Sequence, residues 1–324
     1  MTPHAFGILA TVGFLSLLLG AGVFGSQPAA AADGFDANGQ CVGDKNGDGV
    51  VTIDEILTAA HNALNGCEFV PIALQFRGMV GNQTFGCGNV YHNIGTTKVD
   101  FEPADFRFYV HNVRLVTADG KEVPLRLDQD GAWQYQNVAL LDFENAVSPC
   151  NDGTPQTNFV VHGTAAPLIY TGVRFNVGVP FALDHLNEAT APSPLNLDGL
   201  FWSWQDGYKF VRVEGFNLST LADVLAHVGS TGCVLGANNV VSSCARPNVG
   251  AVGLDNFNPS TNVIVADLAA LFADSDLNSN QANTAVGCQS DPGDMDCVPI
   301  FLNLGINFSD GSPNPNSQKF FRVE

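Results

Sequence analysis

DFRFYVHNVRLV, residues 105 to 116, decides the fold. Phe106, Phe108 and Val110 alternate with Arg107, Tyr109 and His111, which is the period-two signature of a half-buried strand. The pattern recurs on both sides. Leu74 and Phe76 alternate with Gln75 and Arg77, and Val173, Phe175, Val177 and Val179 repeat it. Asp119-Gly120 is a hairpin turn signal between VRLVTA and KEVPLRL, with further turns at Asp130-Gly131 and Asp206-Gly207. One helix is expected over VADLAALFA, residues 265 to 273. The predicted class is mainly β: an antiparallel β-sandwich-like domain with few short helices over residues 69–324, behind a small calcium unit (33–68) and a leader (1–32).

Composition agrees. The chain has 324 residues, 34 of them Gly and 23 Phe, and only 14% are charged, which favours strands and tight turns over salt-bridged helices. The 13 Lys and Arg against 32 Asp and Glu give a net charge of −19, which repels nucleic acid and anionic lipid and favours cations or basic partners. A DNA or RNA role is excluded on that ground.

Residues 8 to 24, ILATVGFLSLLLGAGVF, followed by QPAAAAD, read as an export signal with Ala30 and Ala32 in the A-x-A arrangement, although its start carries His4 and no Lys or Arg. The run is short for a membrane span and no Cys follows it to take a lipid, so the expected location is periplasmic or extracellular, with no membrane insertion after cleavage. All eight cysteines (41, 67, 87, 150, 233, 244, 288 and 297) lie beyond the cleavage site, and an even count in an exported chain reads as disulfides. Eight allow about 105 pairings. Zinc ligation by Cys288 and Cys297 is the alternative for that pair, though no C-x-x-C occurs.

DKNGDGVVTIDE, residues 44 to 55, matches the EF-hand loop: Asp44, Asn46 and Asp48 supply side-chain oxygens, Gly49 the sharp turn, Val50 its carbonyl, Thr52 the ninth position and Glu55 the closing carboxylate. Ile56, Ala59, Ala60 and Leu64 give the exiting helix. No second loop follows. The unit resembles half of a dockerin-type repeat with a structural Ca²⁺, closed by a Cys41–Cys67 bond.

FWSWQDGYKF, residues 201 to 210, places Trp202 and Trp204 two apart beside a turn, so an extended backbone would aim both indoles at one surface, either a core or a site. Together with DFRFYVHNVRLV, VALLDFEN, YTGVRFNVGVPFALDHLN, SPLNLDGLFWSWQDGYKF, HVGSTGC, GCQSDPGDMDC and the terminal QKFFRVE, it resembles the MbnP-like family, the metallo-mystery pair four-Cys proteins, over roughly residues 70 to 324. The resemblance implies an exported copper-binding protein, Cu(I) or Cu(II), that is no enzyme itself but the partner of a di-haem MauG-like peroxidase. That enzyme would oxidise Trp202 or Trp204 to kynurenine, whose aniline nitrogen ligates copper beside His185 and His227. Cys233, Cys244, Cys288 and Cys297 match the four-Cys motif, while Gln289 stands where the family carries a Met.

Neutral imidazole suits both copper oxidation states, which accords with that ligand set. His92, His111 and His162 read as strand or turn residues, and Met295 as loop packing. The rival reading is a non-enzymatic, calcium-stabilised structural or adhesion module of the cell envelope, in which the tryptophans are core. A hydrolase fares worse: no G-x-S-x-G or H-E-x-x-H occurs, and Asp184 beside His185 lacks a nucleophile.

Overall fold

The computed structural model describes residues 52–65 and 68–324. Its main elements, in chain order, are α1 (Ile53–Asn65), β1 (Val70–Val80), β2 (Val99–Thr117), β3 (Val138–Asp142), β4 (Val160–Ala165), β5 (Tyr170–Val177), α2 (Phe181–Asp184), β6 (Phe201–Ser203), β7 (Gly207–Tyr208), β8 (Val211–Asn217), β9 (Ala222–Val228), β10 (Thr231–Leu235), β11 (Val241–Arg246), β12 (Gly250–Asp255), β13 (Val263–Asp267), α3 (Leu268–Leu271), α4 (Cys297–Asn303) and β14 (Phe321–Val323). Two sheets carry the fold. The larger runs β9-β8-β2-β5-β12, with β3 also on β2, and the smaller runs β14-β13-β1-β4. Strands β1 and β13 are parallel, whereas β3, β5 and β8 pair antiparallel with β2.

The alternation in β2 builds the layer between the sheets. Phe106, Phe108 and Val110 face it, as do Phe76 from β1 and Phe175 from β5, with Phe76 in edge contact with Phe108 at 6.3 Å and with Phe175 at 5.9 Å. Burying each ring stabilises the fold by about 1.5–3 kcal/mol. Farther along β2 the core positions become Val113 and Leu115. Asn112, at φ 52°, sits at a register shift, and this one extra residue moves the alternation from even to odd numbers. Asn tolerates the left-handed conformation better than most residues.

The other face of β2 departs from the half-buried expectation. Arg107, Tyr109 and His111 are 2%, 0% and 7% exposed, because the segment from Val179 to Phe210 folds over that side of the larger sheet. Val179, Leu183, Leu195, Leu200, Tyr208 and Phe210 pack there on Tyr109, Val138 and Leu140. Tyr109 Oη donates to the Pro194 carbonyl at 2.9 Å and Tyr208 Oη to that of Leu195, so neither buried phenol is left unpaired. His111 Nδ1 meets the Gly178 carbonyl at 2.8 Å.

The expected helix over 265 to 273 is present only as its middle turn, Leu268–Leu271, and its first three residues are strand. Pairing of β13 with both β1 and β14 claims Val265, Ala266 and Asp267, leaving the one-turn α3, capped by Asp267 accepting from the Ala269 amide at 2.9 Å. The three turn signals hold: Asp119-Gly120 links β2 to a short strand at Glu122–Pro124, Asp130 accepts from the amides of Ala132, Trp133 and Gln134, and Gly207, at φ 78°, opens β7 after the turn from β6.

Three disulfides form among the described residues: Cys87–Cys150, Cys233–Cys244 and Cys288–Cys297. The last replaces the zinc alternative. The leader, Asp44, Asn46, Asp48, Val50, Cys41 and Cys67 lie outside the described residues. Of the calcium loop, Thr52 and Glu55 are described at the head of α1, where the Thr52 amide and hydroxyl donate to Glu55 Oε2 at 2.8 and 2.9 Å and the Glu55 amide donates back to Thr52 Oγ1 at 3.3 Å. This is a reciprocal helix cap. Ile56 and Leu64 on that helix are exposed. Among the described residues no helix is long and apolar enough to cross a membrane.

Candidate metal centre

His185 is fixed by its neighbour. Asp184 closes α2, and its Oδ1 accepts from the Tyr208 amide at 2.9 Å while its Oδ2 accepts from Ser230 Oγ at 2.6 Å. A Cβ at position 207 would lie 2.4 Å from Asp184 Oδ1, so only glycine lets the two segments meet. Burial holds the Asp184 carboxyl up at about 7, against the pull of those two bonds. The His185 ring then stands edge-on to Phe181 at 5.1 Å, with Nε2 3.5 Å from Cys244 Sγ. Its Nδ1 is buried and has no hydrogen-bond partner. Burial lowers the imidazole pKa, against the Trp204 backbone and Asp206, so the ring is neutral near pH 7.

His227 lies on β9, directly across from Arg212 on β8. Because Val211, Val213, Ala226 and Val228 face the phenylalanine core, Arg212 and His227 project to the opposite side, beneath the covering segment. There His227 Nε2 meets Glu214 Oε1 at 2.7 Å, and Arg212 Nε reaches the same oxygen at 2.6 Å. Arg212 also contacts Asp105 at 3.1 Å, the Gly199 carbonyl at 2.9 Å and Asp152 at 2.9 Å, and Arg107 grips both Asp105 oxygens. Burial pushes Glu214 up, but the bonds from His227 and Arg212 outweigh it and hold the carboxyl at about 2. Burial dominates at His227 and lowers its pKa despite Glu214. An ionised carboxylate only accepts, so the neutral ring carries its proton on Nε2, and Nδ1, buried and without a partner, keeps its lone pair.

The W-x-W element divides. Strand β6 stops at Ser203, so the argument from alternation covers Trp202 alone, and Trp204 sits in the turn. Trp202 packs on Gly229, two residues beyond His227: a Cβ there would come within 2.5 Å of its Cζ3. Trp204 is 47% exposed, its backbone beside His185. The two imidazoles are thus held by different partners, His185 by the Cys233–Cys244 corner and His227 by the Glu214–Arg212 pair, with the Trp204 backbone beside the first.

Sequence reading missed Glu214, Arg212 and Asp105. Their signal is the polar half of VRVEGFN and of DFRF, which looks the same whether it faces water or a second layer.

A family model for MbnP matches residues 70–290. The chain belongs to the MbnP family. The solved structure of MbnP from Methylosinus trichosporium is similar to it at 32% identity, covering 79% of this chain and 98% of that one, with a TM-score of 0.69. None of the curated proteins compared matches it. The MbnP match takes in both histidines, both tryptophans and the Glu214–Arg212 pair, and leaves out residues 44 to 55.

Proposed function

We propose that this chain is an exported copper-binding protein whose ligands come from His185, His227 and an oxidised tryptophan, made as the partner of a di-haem MauG-like enzyme. The observation that carries the reading is the pair of buried, unpartnered Nδ1 atoms on His185 and His227, both on neutral rings. A buried imidazole nitrogen without a partner is costly unless something binds it, and copper prefers such nitrogens. Of the two indoles, Trp204 is the more open to solvent, and its backbone adjoins His185, which makes it the proposed site of conversion to kynurenine. In this role the protein carries copper and catalyses nothing itself.

Intact mass of protein from its native host, followed by peptide mapping, tests the oxidation: a gain of about 4 Da should fall on the Trp204 peptide. Copper competition assays on His185→Ala and His227→Ala test the ligands, each losing about tenfold or more in affinity. If both variants hold copper as tightly as wild type, the metal reading falls and the tryptophans are packing residues.

A second, separate element is a structural Ca²⁺ site in residues 44 to 55, supported by the oxygen-bearing sequence and by the Thr52–Glu55 cap, which orients the closing carboxylate at the start of α1. In the rival reading, a calcium-stabilised adhesion module, the imidazole nitrogens would have no ligand.

A further inference from the structure

Strands β10 and β11 form a hairpin of their own, apart from the two large sheets, in which Cys233 stands directly opposite Cys244. The hairpin has anchors besides the sulfur bond. Gln205 Nε2 donates to the Cys233 carbonyl at 3.0 Å, Arg246 donates to that of Phe308 at 2.8 Å, and the strands pair from Thr231 with Arg246 onward. His185 Nε2 and the two Sγ atoms all lie within 4.8 Å of one another, the one such convergence of His, Cys or carboxylate ligand atoms among the described residues.

We infer that opening the Cys233–Cys244 bond converts this corner into a second copper site, in which two thiolates and the His185 imidazole take Cu(I). The reductant is a dithiol. Its thiolate attacks Cys244 Sγ, the partly exposed sulfur of the pair, and the Cys233 thiolate leaves. The reductant's second thiolate then attacks the sulfur it brought to the mixed disulfide, so that Cys244 leaves as a thiolate and the reductant departs as a cyclic disulfide. Two electrons pass to the protein, and Cu(I) occupies the place of the two thiol protons.

Hairpin register keeps the sulfurs facing each other once the bond is gone. With metal–ligand distances like those of zinc, about 2.0–2.3 Å, a three-coordinate ion needs ligand separations of about 3.7–4 Å. The 3.5 Å between His185 Nε2 and Cys244 Sγ is already close to that, and opening the bond frees each sulfur to turn about its own Cα–Cβ bond. Soft thiolates select Cu(I). The other two disulfides do not offer this: Cys288 and Cys297 are both fully buried, and no histidine joins Cys87 and Cys150. The site rests on His185 as the function proposed above does, but through Nε2 rather than Nδ1, so one neutral ring serves one site at a time; it needs neither His227 nor an altered tryptophan.

The test uses the full chain, titrated anaerobically with a dithiol. Alkylation and peptide mass mapping report which thiols open, competition with a chromophoric Cu(I) chelator reports affinity, and copper-edge X-ray absorption reports sulfur ligation. Cys233 and Cys244 should open before the other mapped cysteines, and the opened protein should gain one Cu(I) bound through sulfur. Capping the two thiols with iodoacetamide, or the Cys233→Ser/Cys244→Ser double variant, should weaken that binding at least tenfold, and His185→Ala by about tenfold. The capped wild type keeps the test decisive if the double variant misfolds. Sulfur-ligated Cu(I) that survives capping, or no gain on opening, overturns the inference. Copper binding by the unreduced protein reads the earlier proposal separately.

Discussion

Oε1 of Glu214 lies 2.7 Å from Nε2 of His227, diagonally across the β8–β9 pair. With the carboxyl held ionised at about 2 and the imidazole neutral, this contact selects one tautomer and leaves Nδ1 as the bare nitrogen. Glu214→Gln should relax that choice and weaken copper binding by about tenfold, in the range seen when the group behind a metal-binding histidine is lost. Nitrogen-15 NMR of the copper-free protein checks it, since a loss of affinity with an unchanged His227 tautomer would contradict this account.

Asp142 sets a pH dependence of the opposite kind to a salt-bridged carboxylate. Burial pushes its carboxyl up to about 8, against Arg107, whereas the unfolded chain ionises near the ordinary value of 3.8. The folded state therefore holds a proton that the unfolded state has released, and stability declines as pH rises from about 4 to 8. Asp142→Asn keeps an acceptor for the Glu144 amide and removes that decline, so its urea midpoint should exceed wild type most at pH 8. Equal slopes for the two proteins would refute the burial argument.

Gly229→Ala should destabilise the fold by about 1–3 kcal/mol, because the new methyl meets Trp202 Cζ3 and the Tyr208 carbonyl, each at 2.5 Å, and the backbone oxygen cannot swing aside. Trp204→Phe, at a half-exposed turn, should change stability by less than about 0.5 kcal/mol. Urea unfolding followed by fluorescence separates the two.

Asp48→Ala should abolish calcium-dependent protection of the segment between Cys41 and Cys67 from proteolysis, with the melting of residues 70–324 unchanged. Calorimetry on wild type is the control: no calcium response there ends the idea.

The even-numbered face of β2 was legible because alternation reports a core directly. Burial of Arg107, Tyr109 and His111 was not, because their cover comes from residues 179–210, far along the chain. His185 and His227 stood out only through the family resemblance, and nothing local marks Glu214 as the partner of His227. The pairing of Cys233 with Cys244 becomes evident once the hairpin register is known, whereas spacing alone leaves the combinations open.

Along β8 and β9, residues that hold the phenylalanine core alternate with residues that hold the histidine, on one backbone. Val213 and Ala226 pack in the core, while Arg212, Glu214 and His227 join in the ion-pair network beneath the covering segment. A substitution on one face leaves the side chains of the other pointing where they did, so such a strand pair can change what one side touches while the opposite side keeps its packing.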